Sequence, residues 1–189
     1  MVTLWLSLSD FPAEGREFSF SDPAIWVEPW TEFRLPYSMV QGLHATLTLS
    51  PQENGCYFKG RLQGEISAPC DRCAEETRVI IDHEFEDFEA LEAPGAAEAT
   101  SPTPDGPSEP GPLLRRVGDE LELDVAALLW EEFLLATPPK PLCDEACKGL
   151  CPNCGKNLNQ GKCDCAQNEI DPRLQALQGL RIVPKHDPS

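Results

Sequence analysis

The stretch HATLTLSPQENGCYFKGRLQGEISAPCDRCAEETRVIIDHEF, residues 44–85, decides the fold. Ala45, Leu47 and Leu49 alternate with Thr46 and Thr48, a period of two that sends apolar side chains to one face of a strand. PQENG (51–55) then supplies a turn. Phe58, Leu62 and Ile66 alternate with Lys59, Arg61, Gln63 and Glu65, and Gly60 and Gly64 fall on the apolar side. After APCDRCAEE (68–76), Val79, Ile81 and Phe85 alternate with Arg78, Asp82 and Glu84. Three such runs joined by short turns predict an antiparallel meander with one buried and one wet face. The PCDRC motif (69–73) sits at the tip of the second hairpin.

Working outward, Val2, Leu4, Leu6 and Leu8 alternate with Thr3, Trp5 and Ser7, which is again a strand pattern. Residues 10–32 carry Pro12, Gly15, Pro23 and Pro29 among aromatics and read as irregular linker with short extended pieces. Residues 34–40 form a further candidate strand, weakened by Pro36. Residues 1–91 are thus expected to form an antiparallel β-sheet region. The tract EAPGAAEATSPTPDGPSEPGP (92–112) holds six prolines and no aromatic residue. It lacks the apolar area to offset its ordering entropy and reads as a disordered, proline-rich insertion. Residues 113–139 complete the main domain. Residues 120–123 read as a strand, Asp124 as a helix N-cap, and Ala126, Leu129, Trp130, Phe133 and Leu134 as a core-facing stripe that Pro138 and Pro139 terminate. The fold class expected is α+β: an antiparallel sheet of five or six strands, a packing helix, and a cysteine-rich tail over 140–189. In that tail Asp171, Pro172, Leu174, Leu177 and Leu180 mark a terminal helix.

The tail carries CKGLCPNCGKNLNQGKCDC (147–165), five cysteines in nineteen residues. A CxxC on a tight turn aims two sulfurs at one point, half of a tetrahedral zinc site. Cys151 and Cys154 form such a knuckle, with Pro152 and Gly155 letting the backbone wrap closely, and Cys163 and Cys165 arrive as the second half. Four thiolates leave no position for water, so this site stabilises the fold and does not catalyse. In zinc-finger peptides such binding is worth on the order of 10–16 kcal/mol, ample to order a tail this poor in apolar residues. Cys70 and Cys73 can join Cys143 and Cys147 in a second set, pinning the tail to the sheet. The other partition lets the tail site draw on Cys147 and leaves cysteines over, and spacing does not choose between them. Cys56 reads as a small core residue.

Other chemistries find little support. PCDRC has the form of the P-C-x-x-C half of zinc deaminases, but His83 lies downstream of it and Phe85 stands where a Glu is required. A redox CxxC belongs at a helix N-terminus after a strand, whereas this one joins antiparallel strands. His44, His83 and His186 are scattered without an HExxH or serine-elbow frame, and no phosphate-binding glycine loop occurs. His83 reads as a solvated partner of Asp82, Glu84 and Glu86, and Glu131 with Glu132 as an exposed acidic edge. The remaining rival is a thiol-based redox or metal-dependent enzyme. A zinc-ribbon transcription accessory would need a basic or aromatic ribbon face that the tail lacks.

The net charge is −17 and unevenly spread. Residues 1–139 hold 8 Lys and Arg against 26 Asp and Glu, and residues 140–189 hold 7 against 6. A body this acidic repels phosphate backbones and attracts basic partners. The segment MVTLWLSLSD has neither a basic start nor a small-residue cleavage site, which reads as no signal peptide. A cytoplasmic, reducing location, metal-bound rather than disulfide-bonded cysteines, and no membrane span are therefore expected.

The order of motifs is more specific than any one of them. APCDRC (68–73), a proline-rich stretch, LELDVAALLWEEFLLATPPKPLC (121–143), CKGLCPNCGKNLNQGKCDC and IDPRLQAL (170–177) together resemble the YceD family, from about residue 40 to residue 181. The resemblance implies a factor associated with large-subunit ribosomal RNA accumulation in bacteria and chloroplasts, not a named enzyme. It also implies structural zinc, one or two ions, on Cys70, Cys73 and the tail cysteines. The expected partner is a basic ribosomal protein or a pre-ribosomal particle, met by the acidic face. Lys148, Lys156, Lys162, Arg173 and Arg181 mark the only place for a weak RNA contact, and DNA is not expected as a partner.

Overall fold

The computed structural model describes residues 3–12, 14–91 and 112–165. The expected insertion at 92–112, apart from Pro112, and the expected terminal helix at 171–180 lie outside these residues. The chain divides into two compact units, residues 1–147 and 148–189. The α+β class holds, with strands that are all antiparallel, but they form two sheets rather than one.

The meander is present and longer than its sequence pattern. Strands β3 (Ser38–Gln52), β4 (Gly55–Pro69) and β5 (Glu76–Ala90) run fifteen residues each. A short strand β2 (Arg16–Phe20) adds outside β3, giving the order β2-β3-β4-β5. The apolar face is the expected one. Ala45, Leu47, Leu49, Leu62 and Ile66 are wholly buried, and Phe58, Val79, Ile81 and Phe85 nearly so. Each aliphatic or aromatic side chain so buried contributes about 1.5–3 kcal/mol, which fixes the register, because a one-residue slip would turn the whole row to water. Gly60 lies opposite both Leu47 and Phe85. A Cβ there would meet the Thr46 carbonyl oxygen and come within 2.6 Å of the Phe85 ring, so the missing side chain is what lets Phe85 lie flat on the sheet.

The second sheet has the order β1-β7-β6, from Trp5–Ser7, Glu120–Asp124 and Leu114–Val117. Strand β7 runs directly into helix α2 (Val125–Ala136). Asp124 caps that helix, its Oδ1 accepting from the Ala127 N–H at 3.2 Å, and the same oxygen accepts from the Leu4 N–H at 3.2 Å. One carboxylate therefore ties the helix start to the first strand. Leu128, Leu129 and Phe133 are buried on α2, while Leu134, expected in the core, is 46% exposed. The stripe is rotated: at the last turn the buried side passes through Phe133 and Thr137, not Leu134.

The irregular linker expected at 10–32 is instead β2 and helix α1 (Ala24–Glu32). Asp22 accepts from the Ala24 N–H at 2.9 Å and shapes the entry. Pro29 inside the helix forgoes one backbone bond, yet the turn persists because Trp26 and Trp30, four residues apart, both pack on Phe133. Burying two indoles outweighs the roughly 3 kcal/mol that an interior proline costs.

Candidate metal centres

The connection between β4 and β5 is a knuckle. The Cys70 N–H donates to the Glu75 carbonyl at 2.8 Å and the Ala74 N–H to the Cys70 carbonyl at 2.9 Å. In the second unit Cys151 repeats the pattern: its N–H donates to the Lys156 carbonyl at 2.8 Å and the Gly155 N–H to the Cys151 carbonyl at 2.9 Å. Both turns need a left-handed residue four positions after the first cysteine, Ala74 at φ 61° and Gly155 at φ 72°. Two unrelated stretches thus build one device, which wraps the backbone so that both cysteine sulfurs face the same point.

In the first unit the structure brings Cys70, Cys73, Cys143 and Cys147 together, with all four Sγ atoms within 4.8 Å of one another. Cys70 and Cys147 are 3.9 Å apart, Cys73 and Cys143 3.6 Å. Cys70, Cys73 and Cys147 are buried with Leu142 against them, and Cys143 is exposed. The segment 141–147 is held to the hairpin tip by more than sulfur. The Asp71 N–H donates to the Pro141 carbonyl at 2.8 Å, and the Thr77 hydroxyl to the Leu142 carbonyl at 3.3 Å. Arg72 reaches across with one guanidinium nitrogen to the Glu145 and Cys147 carbonyls at 3.0 and 2.9 Å. Cysteine spacing alone does not single out Arg72. Its signal is its place inside CxxC, where a long five-donor side chain points away from the sulfurs and toward whatever strand completes the set.

In the second unit Cys151, Cys154, Cys163 and Cys165 lie equally close, Cys151 and Cys163 at 3.4 Å. This set is more open: Cys151 is buried, Cys163 and Cys165 half-buried, Cys154 exposed. Asparagines shape it, the Lys148 N–H donating to the Asn159 side chain at 2.8 Å and the Asn159 N–H to the Asn157 side chain at 2.9 Å. The Lys156 ammonium donates to the Lys162 carbonyl at 2.8 Å, so one cation read as an RNA contact also braces its own loop.

The electrostatics of the two sets match. Backbone N–H groups, that of Cys143 first, then those of Arg72 and Cys73, face the Cys70 sulfur and lower its thiol to about 6. The N–H groups of Cys154 and Asn153, with the Cys163 thiol, lower Cys151 to about 6. Their neighbours resist ionising: the side chains of Cys147 and Cys73 push Cys143 up to about 12, and that of Cys154 pushes Cys165 up to about 12. Each set forms one thiolate readily and opposes the next, because anions crowd a small volume. A bound dication offsets that repulsion, and either group of four could hold a metal ion.

Elsewhere the structure corrects two expectations. His83 is not a solvated partner of its strand neighbours; its Nε2 lies 3.0 Å from the Glu132 carboxylate on α2. Glu132, expected on an exposed edge, is buried, and only Glu131 is exposed. Cys56 is buried in the core, as expected, and burial raises its thiol to about 11. Among the described residues no helix is long and apolar enough to cross a membrane.

No solved structure matches this chain. A chloroplastic homologue from Arabidopsis thaliana, described as large ribosomal RNA subunit accumulation protein YCED homolog 1, is 40% identical over 60 residues. Those residues are 32% of this chain and 19% of that protein, so the likeness spans a small part of its length. The family described as "Large ribosomal RNA subunit accumulation protein YceD" matches residues 58–181, which take in the long hairpin, α2 and all eight clustered cysteines. With well over half of its length inside that match, the chain belongs to the YceD family.

Proposed function

We propose that this protein is a non-enzymatic factor of large-subunit ribosome biogenesis that supports accumulation of large-subunit ribosomal RNA. It binds a basic ribosomal protein or a precursor particle, and zinc holds its fold. Family membership supports the ribosomal part of this reading. The observation that carries the zinc part is that each set gathers four cysteine sulfurs within 4.8 Å of one another. A tetrahedral ion with Zn–S bonds of about 2.3 Å separates its sulfurs by about 3.8 Å. The three separations of 3.4, 3.6 and 3.9 Å bracket that value. Four soft thiolates with no carboxylate or imidazole select zinc, copper(I) or iron–sulfur chemistry over magnesium or calcium. Zinc held by four thiolates is saturated, so it supplies cross-linking and no open position for substrate. The working surface is then the acidic body, which suits a basic partner better than a phosphate backbone.

The test is recovery of the tagged full chain from cells grown in a reducing cytoplasm. Large-subunit proteins or large-subunit RNA precursors are expected to co-purify, and recovery of neither overturns the reading. The rival thiol enzyme is separated by thiol labelling. Structural zinc predicts that eight thiols stay protected until a chelator is added, whereas an enzyme shows one fast-reacting cysteine before it.

A further inference from the structure

The longest unpaired strand edge among the described residues is the outer edge of β5, whose one strand partner is β4. At roughly 3.3 Å per residue it spans about 50 Å, with the backbone groups of alternate residues facing outward, and the Phe88 N–H donates to the Asp87 carboxylate at 2.7 Å. On the wet face Ile80 is 78% and Phe88 44% exposed, and between them stand Asp82, Glu84 and Glu86. Arg61 of β4 leans on Asp82 and Glu84 at 2.8 and 3.0 Å, but these are surface pairs in water and little is lost by exchanging them.

Beside these acids a cavity of about 510 Å³ opens on the same wet face, where the carboxylates of Glu17, Glu84 and Glu86 face the cations Lys59 and Arg61. Its walls follow from the register. Glu17, Thr48, Lys59 and Glu86 form one row across the four strands, so carboxylates stand at both ends with the Thr48 hydroxyl and the Lys59 ammonium between them.

We propose that the outer edge of β5 is a strand-addition site for an extended Lys- and Arg-rich segment of a protein partner. Such a segment pairs its backbone with the edge, places basic side chains against Asp82, Glu84 and Glu86, and covers Ile80 and Phe88 with apolar ones. Charge complementarity selects this occupant. A second copy of β5 would set the same acids against themselves, and a nucleic acid would meet them with phosphates. The inference rests on the ribosome-assembly reading only for the identity of the partner.

The test uses the full chain and two synthetic probes of equal length, one peptide alternating lysine with valine and one alternating glutamate with valine. Amide hydrogen exchange is expected to slow at β5 between Ile80 and Phe88 with the lysine peptide alone. Charge reversal at Glu84→Lys with Glu86→Lys should weaken that binding about tenfold or more, equivalent to about 1.4 kcal/mol. The same change in net charge at Glu28→Lys with Asp119→Lys should leave it within about twofold. Equal binding of both peptides overturns the inference. So does protection outside β5, concentration-dependent protection of β5 by the protein itself, or protection by single-stranded poly-uridine. Binding of neither peptide also overturns it and leaves the acids as guards against aggregation. If cells yield ribosomal proteins on wild type and on the Glu84→Lys, Glu86→Lys variant alike, the edge site falls while the ribosomal reading stands. If wild type recovers none, the ribosomal reading falls whatever the peptides do.

Discussion

Replacing Cys143 with serine separates the work of the two sulfur sets. Cys143 is the exposed member of the first set, so the substitution opens no core cavity and acts through the cross-link alone. Cys73 and Cys143 are 70 residues apart along the chain, and a cross-link closing a loop of that length is worth about 4 kcal/mol in the chain-entropy model. Cys151 and Cys163 are 12 apart, for which the same relation returns about 3 kcal/mol. Those 3 kcal/mol act within residues 148–189, a separate unit from the sheets. All four tryptophans, Trp5, Trp26, Trp30 and Trp130, lie in residues 1–147, so tryptophan fluorescence reports the first unit only. At about 2–4 °C per kcal/mol for a chain of this size, Cys143→Ser should lower the fluorescence melting midpoint by about 10 °C. Cys163→Ser should leave it within about 1 °C. Each variant should lose about half of the bound zinc. An unchanged midpoint for Cys143→Ser, or an equal drop for Cys163→Ser, refutes the assignment of the first set as the clasp of the sheet unit.

Four further outcomes follow from single residues. Ala74 sits at φ 61°, where a side chain costs about 1 kcal/mol, so Ala74→Gly should stabilise by about 0.5 kcal/mol after the added freedom of the unfolded chain is counted. Gly155→Ala, with nothing within 4 Å of the added Cβ, should cost about 1 kcal/mol from backbone conformation alone, and urea titration reads both. Burial raises the Cys56 thiol from 9.0 to about 11, so the unfolded chain loses its proton first. Stability should fall as pH rises from 9 to 11, by up to roughly 2–3 kcal/mol, and Cys56→Ala should flatten that part of the wild-type slope. His83→Ala leaves the Glu132 carboxylate, only 10% exposed, without its ring partner, and should destabilise by about 1–3 kcal/mol. The double variant His83→Leu, Glu132→Leu should recover most of that loss, and a double-mutant cycle showing no coupling would remove the pair as a contributor.

What could be read in advance tracks how local its cause is. The meander was legible because each of its strands buries one face and wets the other, so Leu47, Leu62 and Ile81 announce their side by alternation. Asp124 was legible as a cap because a cap is satisfied within its own helix turn. Helix α1 was not, because Pro23 and Pro29 carry the local signal of a breaker, while its cause is remote: Trp26 and Trp30 packing on Phe133, a hundred residues along the chain. The division into two sheets was hidden for a related reason. Strand β1 pairs with β7 and not with its neighbour in sequence, and no alternation pattern records its partner. His83 and Glu132 each look like surface charges alone and become intelligible only as a pair.

The cysteines show the same rule at the site. CxxC spacing named the two knuckles, because a knuckle is local. It left Cys143 and Cys147 between two partitions, a second set with Cys70 and Cys73 or a tail site drawing on Cys147, because their destination depends on which chain segment returns to the hairpin tip. The structure places both at Cys70 and Cys73, and the hydrogen bonds from Asp71, Thr77 and Arg72 show why: the backbone of 141–147 is docked on the knuckle whether or not sulfur is considered. These bonds need no ion, and we take the docking to come before the cross-link. That ordering predicts a chelated protein whose Arg72 contacts persist, so Arg72→Ala should increase the sensitivity of the first unit to chelator more than it lowers stability with metal present. A variant with equal losses under both conditions would make metal and docking a single cooperative event.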